Sequence, residues 1–456
     1  MDSKDDSPPP PPGETRRSFI RKSATAAAVV VASADLLGGS AVAQGKGPYP
    51  GRVIGANDRI AVAYIGTGNQ GTTHVKSQKD HAAENNIVQA AVCDLYQKRL
   101  DAAAAIAGVS GANAVRDYRK ILDRKDIDAV VVSTVDNWHA DVACDAMEAG
   151  KHVYGEKPLS RYLEEGFRIY DTVKKTKKVF QVGSQYCADL KYHKAAEWIK
   201  AGKLGPLVWA QGSYCRNNPK NSEWTYPVDP DATEQNLDWK TWLGKAPKIP
   251  FAPEHYFSWH KFYAYNSGIL GNLLSHTFLP LLLATAGTDF PRRITCTGTK
   301  KVSTDREIND TTHVLAEMPS GLTFCIVGST VNEQGLAEEI RGRKATIYLS
   351  QGQNRAELRP ERPFAEQLEP EDFSSPIPPG KIAYLEKNFF DVIRKGGTPF
   401  GHIDLALRAH AILALAEMSE RLSTTLLFDW KTRKVTSGDG RELKPISYDS
   451  VLKKSA

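Results

Sequence analysis

The apolar residues of this chain change period partway along, and that change divides it. Between residues 58 and 183 they come in short unbroken runs: Arg59–Ile65, Val88–Cys93, Ile127–Ser133 and His152–Tyr154. Runs without alternation predict strands covered on both faces, as in a parallel sheet. Helical stretches separate them, one beginning in the glycine-rich segment after Ile65, then Asp117–Leu122 and Asn137–Ala149. Strand–helix alternation predicts a doubly wound α/β domain of Rossmann type over 58–183. After the helix Leu190–Ala201 the pattern turns to alternation, in Leu207–Tyr214, Arg293–Thr299, Thr312–Glu317, Leu322–Val327 and Ala345–Leu349. Such strands predict an α+β domain over 184–435 with an open, mainly antiparallel sheet, one face of it wet. Helices at Ala383–Lys395 and Leu405–Leu422 are expected to return toward the first domain, and 436–456 reads as a C-terminal tail.

The first residues follow another logic. Residues 1–14 are polar and proline-rich; then come Arg16-Arg17-Ser18-Phe19-Ile20, an Ala/Val stretch from Ala24 to Ala32, and Ala41-Val42-Ala43. Twin arginines, a short apolar stretch and an A-x-A site in that order predict a Tat signal peptide over 1–43, followed by a linker over 44–57. The protein is then expected to meet the Tat translocase and to be exported folded to the periplasm or another extracytoplasmic space. No cysteine precedes Cys93 and no later segment offers ~20 consecutive apolar residues, so no membrane anchor is expected in the mature form.

Composition narrows the classes further. Of 456 residues, 41% are hydrophobic and 25% charged, enough to bury a sizeable core. The net charge of +6 is spread among interspersed signs, so no nucleic-acid partner is expected. Cysteines at 93, 144, 187, 215, 296 and 325 form no CxxC pair or zinc-like cluster. Neither a metal site nor a disulfide framework is expected, and Cys93 and Cys325 read as small core residues.

Candidate chemistry gathers where the runs end. Gly66-Thr67-Gly68-Asn69-Gln70-Gly71 follows the first strand and opens a helix, and Asp94 ends the second strand. In that context Gly66 makes a tight turn, Gly68 lets backbone approach a pyrophosphate, and Gly71 allows close helix–strand packing. The helix start offers N–H groups to phosphate, while Asp94 accepts from ribose hydroxyls and repels a 2′-phosphate. NAD is therefore the expected cofactor, with NADP possible because Lys98 and Arg99 lie nearby. Ligands of such sheets bind beyond the strand ends, which selects Thr134, Asn137, Glu156-Lys157-Pro158, Gly183 and Gln185. The lysine is expected to point into the cofactor crevice, held by its carboxylate neighbour. Six of the eight tryptophans fall between Trp198 and Trp259, four of them in a long insertion over Asn217–Ala286. Their flat faces suit either sugar C–H surfaces or an aromatic core.

Taken together, the Gly66 motif, Asp94, Thr134/Asn137/His139 and Gly150-Lys151-His152-Val153 running into Glu156-Lys157-Pro158 resemble the glucose–fructose oxidoreductase / inositol dehydrogenase / MocA family, over about residues 57 to 435. The resemblance implies that Lys157 contacts nicotinamide and substrate hydroxyl and that the Lys157–Pro158 bond is cis. It also implies that Tyr265–His276 is the active-site helix, with His276 as general base. Spacing of four puts Asn272 and His276 on one helical face, and Asn272 stands where the family usually has Asp. The cofactor-binding set is then Gly66, Gly68, Asn69, Gln70, Gly71, Asp94, Thr134, Asn137, His139, Glu156, Lys157 and Gln185; the catalytic set is Lys157, His276 and Asn272. The expected function is an NAD(P)-dependent oxidoreductase moving a hydride to or from a sugar or polyol hydroxyl. The alternatives are an NAD-dependent glycosidase or lyase using transient oxidation, and a sugar-binding protein without chemistry. An open sheet face predicts a homo-oligomer.

Overall fold

A computed structural model of the protein describes residues 58–218, 223–285, 289–350 and 352–451. The expected Tat leader and linker lie outside the described residues.

Six parallel strands build the first sheet: β1 (Ile60–Ile65), β2 (Ile87–Cys93), β3 (Ala114–Val115), β4 (Ala129–Val132), β5 (His152–Glu156) and β6 (Phe180–Gly183). Their order is β3-β2-β1-β4-β5-β6. Helices α1 (Asn69–Asp80), α2 (Gln97–Ala107), α3 (Arg119–Leu122), α4 (Asp136–Glu148) and α5 (Leu163–Thr176) supply the crossovers. All of β4 and nearly all of β1 are buried, which is why these strands show no alternation. The order reverses between β1 and β4, and there the strand ends open a crevice.

In the second region come α6 (Leu190–Lys200), β7 (Leu207–Asn217), the short helices α7 (Trp239–Leu243) and α8 (Pro253–Phe257), and α9 (Ser275–Ala284). Then follow β8 (Arg293–Thr299), β9 (Thr311–Glu317), β10 (Thr323–Ser329), β11 (Val331–Asn332), β12 (Glu338–Gly342), β13 (Ala345–Leu349), β14 (Arg355–Pro360) and β15 (Glu371–Ser374). The chain closes with α10 (Ile382–Lys395), α11 (Ile403–Leu422), β16 (Leu426–Asp429), β17 (Lys434–Ser437), β18 (Glu442–Leu443) and α12 (Tyr448–Val451). Strands β7 to β18 form one twelve-stranded sheet, antiparallel except where β10 runs parallel to β7. Along β9, Thr312, Val314 and Ala316 are buried while His313 and Leu315 face out, so one sheet face is covered and the other open.

Two expectations need correcting. Cys325 lies half-buried on the open side of β10, because its buried neighbours are Phe324 and Ile326; Cys93 is in the core. Residues from 436 on are no bare tail: β17 and β18 extend the sheet, and Tyr448 of α12 donates to Glu165 Oε1 (3.0 Å) and Asn137 O (3.1 Å). β17 is four residues long with Val435 as its one core residue, and β18 is a two-residue edge strand held by backbone pairing, so the pattern of side chains did not announce them.

The helices of the chain's last third reach the first sheet. Gln181 of β6 donates to Leu385 O on α10 at 2.8 Å. The aromatic insertion is fastened beyond the end of β2 and to α4, through Asp238 N to Leu95 O (3.0 Å), Gln97 N to Asn236 O (2.9 Å) and Trp138 Nε1 to Trp242 O (2.9 Å). Trp239, Trp242, Leu237 and Tyr256 close over Tyr96 as a second apolar cluster, so much of the aromatic content is core.

Candidate functional site

A cleft of about 550 Å³ runs from the β1–α1 turn, past the ends of β2, β4 and β5, to the start of α9. Its first half is built by the glycines. Gly66 has φ +84°, and a Cβ there would lie 2.7 Å from the Ser133 backbone; one on Gly71 would lie 2.0 Å from Gly66 O. These two positions admit no side chain, and the turn they allow delivers Gly68, Asn69 and Gln70 to the cleft wall. Asp94 ends β2, nearly buried, with Oδ2 accepting from Thr67 N (2.7 Å) and Oδ1 from Tyr96 N (2.9 Å). Its carboxylate is thus held ready at the mouth of the crevice. Of the two nearby cations, Lys98 is drawn away to Asp229 (2.8 Å) and Asp231 (3.0 Å), whereas Arg99 stays in the cleft wall, its guanidinium over the Tyr256 ring.

A dinucleotide fits these residues. Beside the glycine cradle, Ser133 Oγ, Thr134 Oγ1 and Asp136 Oδ2 are buried cleft-wall atoms with no hydrogen-bond partner among the described residues. Orphaned buried polar atoms call for a ligand partner. Burial raises the Asp136 carboxyl to about 8, against the pull of Lys157 and Arg161, so it keeps its proton at neutral pH and can donate. Gln185 also lines the cleft.

One expected contact is absent from the cleft wall, and another, His139, lines it and serves as a brace as well. Asn137 does not line the cleft; it is buried at the start of α4, where its Nδ2 reaches Leu243 O (3.4 Å). His139 is a brace: Nδ1 meets Pro158 O at 2.8 Å and Nε2 meets Thr134 O at 3.1 Å, tying the loops after β4 and β5 together.

At the reacting end, the Lys157–Pro158 bond is cis. Glu156 does not hold the lysine's ammonium. Its Oε2 accepts the Lys157 backbone N–H (3.1 Å) and its Oε1 accepts from His74 (2.9 Å) and Gln70 (3.2 Å). Lys157 Nζ instead crosses the cleft to donate to the backbone carbonyl of Asn272 at 3.1 Å. The helix start there is wound as a π-turn over Leu270–Leu274 before α9 begins, a wider winding than the α-helix that spacing of four assumes. The Asn272 carboxamide is committed locally, Nδ2 donating to Asn266 Oδ1 (3.0 Å) and Gly268 O (3.2 Å). What Asn272 offers Lys157 is therefore its backbone.

His276 lines the cleft, half-buried, with Nδ1 unpartnered and the rings of Tyr186 and Tyr214 at 5.4 and 5.5 Å. Burial, together with the positive charges of Lys157 and Arg216, pushes its pKa well below the usual histidine value, so the ring is neutral and able to accept a proton. A second histidine shares the setting. His260 stacks on Trp259 (3.7 Å) and under Trp224 (5.8 Å), its Nδ1 is likewise unpartnered, and the same three causes hold its pKa well below normal. His260, Tyr214 and Arg216 were not read from the sequence. Strand alternation puts Tyr214 and Arg216 on one face of β7, a signal that was present but pointed equally to the sheet.

The sheet order, the glycine cradle and the acid after β2 define a two-domain, dinucleotide-binding oxidoreductase. The chain belongs to the Gfo/Idh/MocA oxidoreductase family: residues 60–184 match its NAD-binding Rossmann fold and residues 245–426 its C-terminal alpha/beta domain. A glycosyl hydrolase family 109 protein of Shewanella sp. (strain W3-18-1) is 31% identical over 166 residues, 34% of this chain and 35% of that protein. An alpha-N-acetylgalactosaminidase of Shewanella oneidensis is 31% identical over 163 residues, 34% of this chain and 35% of its own length. The chain thus spans about a third of these curated relatives. Among solved structures, levoglucosan dehydrogenase in complex with NADH and levoglucosan superposes with a TM-score of 0.62 at 20% identity, over 79% of this chain and 98% of that one. An oxidoreductase domain protein from Kribbella flavida gives 0.63 at 19%, over 80% and 98%. At these identities the superpositions establish the fold.

Proposed function

We propose that the protein transfers a hydride between NAD and a carbon bearing a hydroxyl on a sugar or polyol. The observation that carries this reading is the meeting, across one cleft, of Lys157 at the end of β5 and a neutral, unpartnered His276 on α9. A bound nicotinamide supplies the hydride acceptor or donor. The glycine turn and Asp94 would hold its phosphates and ribose, with Ser133, Thr134 and Asp136 offering polar atoms further along. For their part, the protein's residues manage the proton and the charge. His276 takes the hydroxyl proton as the alcohol becomes a carbonyl, while the Lys157 ammonium stabilises the negative charge developing on that oxygen. Trp224, Tyr226 and Trp259 provide flat faces along the same stretch of cleft, suited to a sugar ring.

A second reading has its own support, the relatives named as family 109 glycosyl hydrolases. In it the same transfer is transient: oxidation of a ring hydroxyl acidifies the neighbouring C–H, elimination follows, and the hydride is returned. Incubating the NAD-loaded protein with neutral sugars, inositols and their glycosides separates the cases. Net formation of reduced nicotinamide supports the first; sugar release without it supports the second. If neither occurs with any member of the panel, hydride chemistry on sugars is the wrong reading.

Tat export and homo-oligomerisation through the open sheet face are further parts of the proposal. They are supported by Arg16-Arg17 ahead of an Ala/Val stretch and by the exposed Leu315, Trp209 and Tyr348 on the sheet. A monomer by light scattering at micromolar concentration would remove the second.

A further inference from the structure

Behind the cleft, α1, β5 and α10 bring three ionisable side chains into one buried line. His74 of α1 meets Glu156 of β5 through Nε2 at 2.9 Å and Glu386 of α10 through Nδ1 at 2.7 Å, and the histidine and Glu386 are fully buried. Ser77 Oγ (2.6 Å) and Gln78 Nε2 (3.1 Å) also donate to Glu386, and the Tyr154 ring stands edge-on to the imidazole at 5.0 Å. Two carboxylates on the two ring nitrogens require both nitrogens to donate, which only an imidazolium can do. Burial alone would push the ring's pKa down. The hydrogen bonds and charges of Glu156 and Glu386 override it and raise it to about 9.

This arrangement accounts for where Lys157 points. Lys157 lies close enough for its charge to act on the Glu156 carboxylate, yet Nζ reaches across the cleft to Asn272 O. Both oxygens of Glu156 are already engaged, by His74 and Gln70 on one side and by backbone on the other. We propose that His74 is a positioning residue for Lys157: as an imidazolium clamped between Glu156 and Glu386, it takes up the charge of Glu156 and so leaves the lysine ammonium directed at the substrate side of the cleft. The proposal rests on Lys157 being the cation of the reacting end, as in the proposed function, but it concerns side-chain placement and is tested without turnover.

The test is competitive acylation of the full-length protein with acetic anhydride in the presence of NAD, reading each lysine by peptide mass spectrometry. In His74→Gln, Glu156 is released and pairs with Lys157. A carboxylate paired with an ammonium suppresses the free amine by about 10-fold or more, so Lys157 labelling falls by about that factor relative to the other lysines. Adding Glu156→Gln to His74→Gln removes the captor and restores labelling, a rescue that a merely structural histidine would not produce. Unchanged labelling in the single variant, or no recovery in the double, overturns the proposal. The unmutated protein gives an independent reading by imidazole nitrogen NMR. Protons on both His74 nitrogens at pH 8 are expected, and a singly protonated ring at that pH overturns the proposal whether or not the variants fold.

Discussion

His276 works as a base only if it is neutral, and its surroundings make it so twice over, through burial and through the positive charges of Lys157 and Arg216. A base with a depressed pKa stays active above that pKa, so kcat/KM is expected to hold as pH falls through the ordinary histidine range near 6.5. Arg216→Gln removes one of the depressing charges. Its acid limb should move to higher pH, toward 6.5, in a pH–rate series; an unmoved limb would show that Arg216 does not act on the base. Lys157, Glu156 and Asp94 were legible because each sits at a strand end, where the chemistry of an α/β sheet collects. His260 was not, because one histidine among tryptophans reads as core, and only the fold shows its unpartnered nitrogen facing the same charges as His276. Asn272 carried a misleading signal. Its residue type suggested a side-chain role, while the structure uses its carbonyl.

Legibility of the elements followed burial. Strands buried on both faces, such as β1 and β4, stood out as apolar runs, and those with one wet face, such as β9, as alternation. Two-residue strands such as β3 and β18, and the polar edge strand β15, carry no such mark because backbone pairing alone defines them; β14 alternates, with Ala356 and Leu358 buried, but its other positions are charged or polar. The join between the loop after β5 and α11 was also invisible, since it is made by charges far apart in sequence. Arg161 donates to Glu417 through two nitrogens (2.6 and 2.8 Å) and to Tyr263 O, all within the core. Burial would raise the Glu417 carboxyl, but Arg161 and Arg421 hold it below its usual value. Arg161→Leu leaves that buried carboxylate with Arg421 alone. Breaking a buried pair from one side costs about 3–5 kcal/mol, and the remaining arginine puts the expected loss near the lower end, about 3 kcal/mol, in urea unfolding. A loss under about 1 kcal/mol would mean that the pair is solvated in solution.

On the scale of the whole molecule, the two sheets are coupled by helices that leave the second region and pack on the first. Through α10 the chain's last third supplies Glu386 to a relay that ends beside Lys157. The fold class and the two-region division were readable from periodicity; this coupling was not, because it depends on which helix returns to which strand. Export belongs to the same scale. Replacing Arg16 and Arg17 with lysine keeps the charge but removes the guanidinium forks, and the precursor should then stay in the cytoplasm in a fractionation assay. Export equal to the parent would rule out the Tat reading. The most direct test of the central claim follows the hydrogen itself. The NAD-loaded protein is mixed with C-deuterated hexoses and inositols, and the nucleotide is then examined for deuterium on the nicotinamide ring by mass spectrometry and NMR, in parallel with His276→Ala. The account predicts deuterium in the nucleotide, arriving about 10²–10⁴ times more slowly without the histidine. No deuterium from any sugar would contradict hydride transfer, and an equal rate in His276→Ala would contradict the assignment of the base.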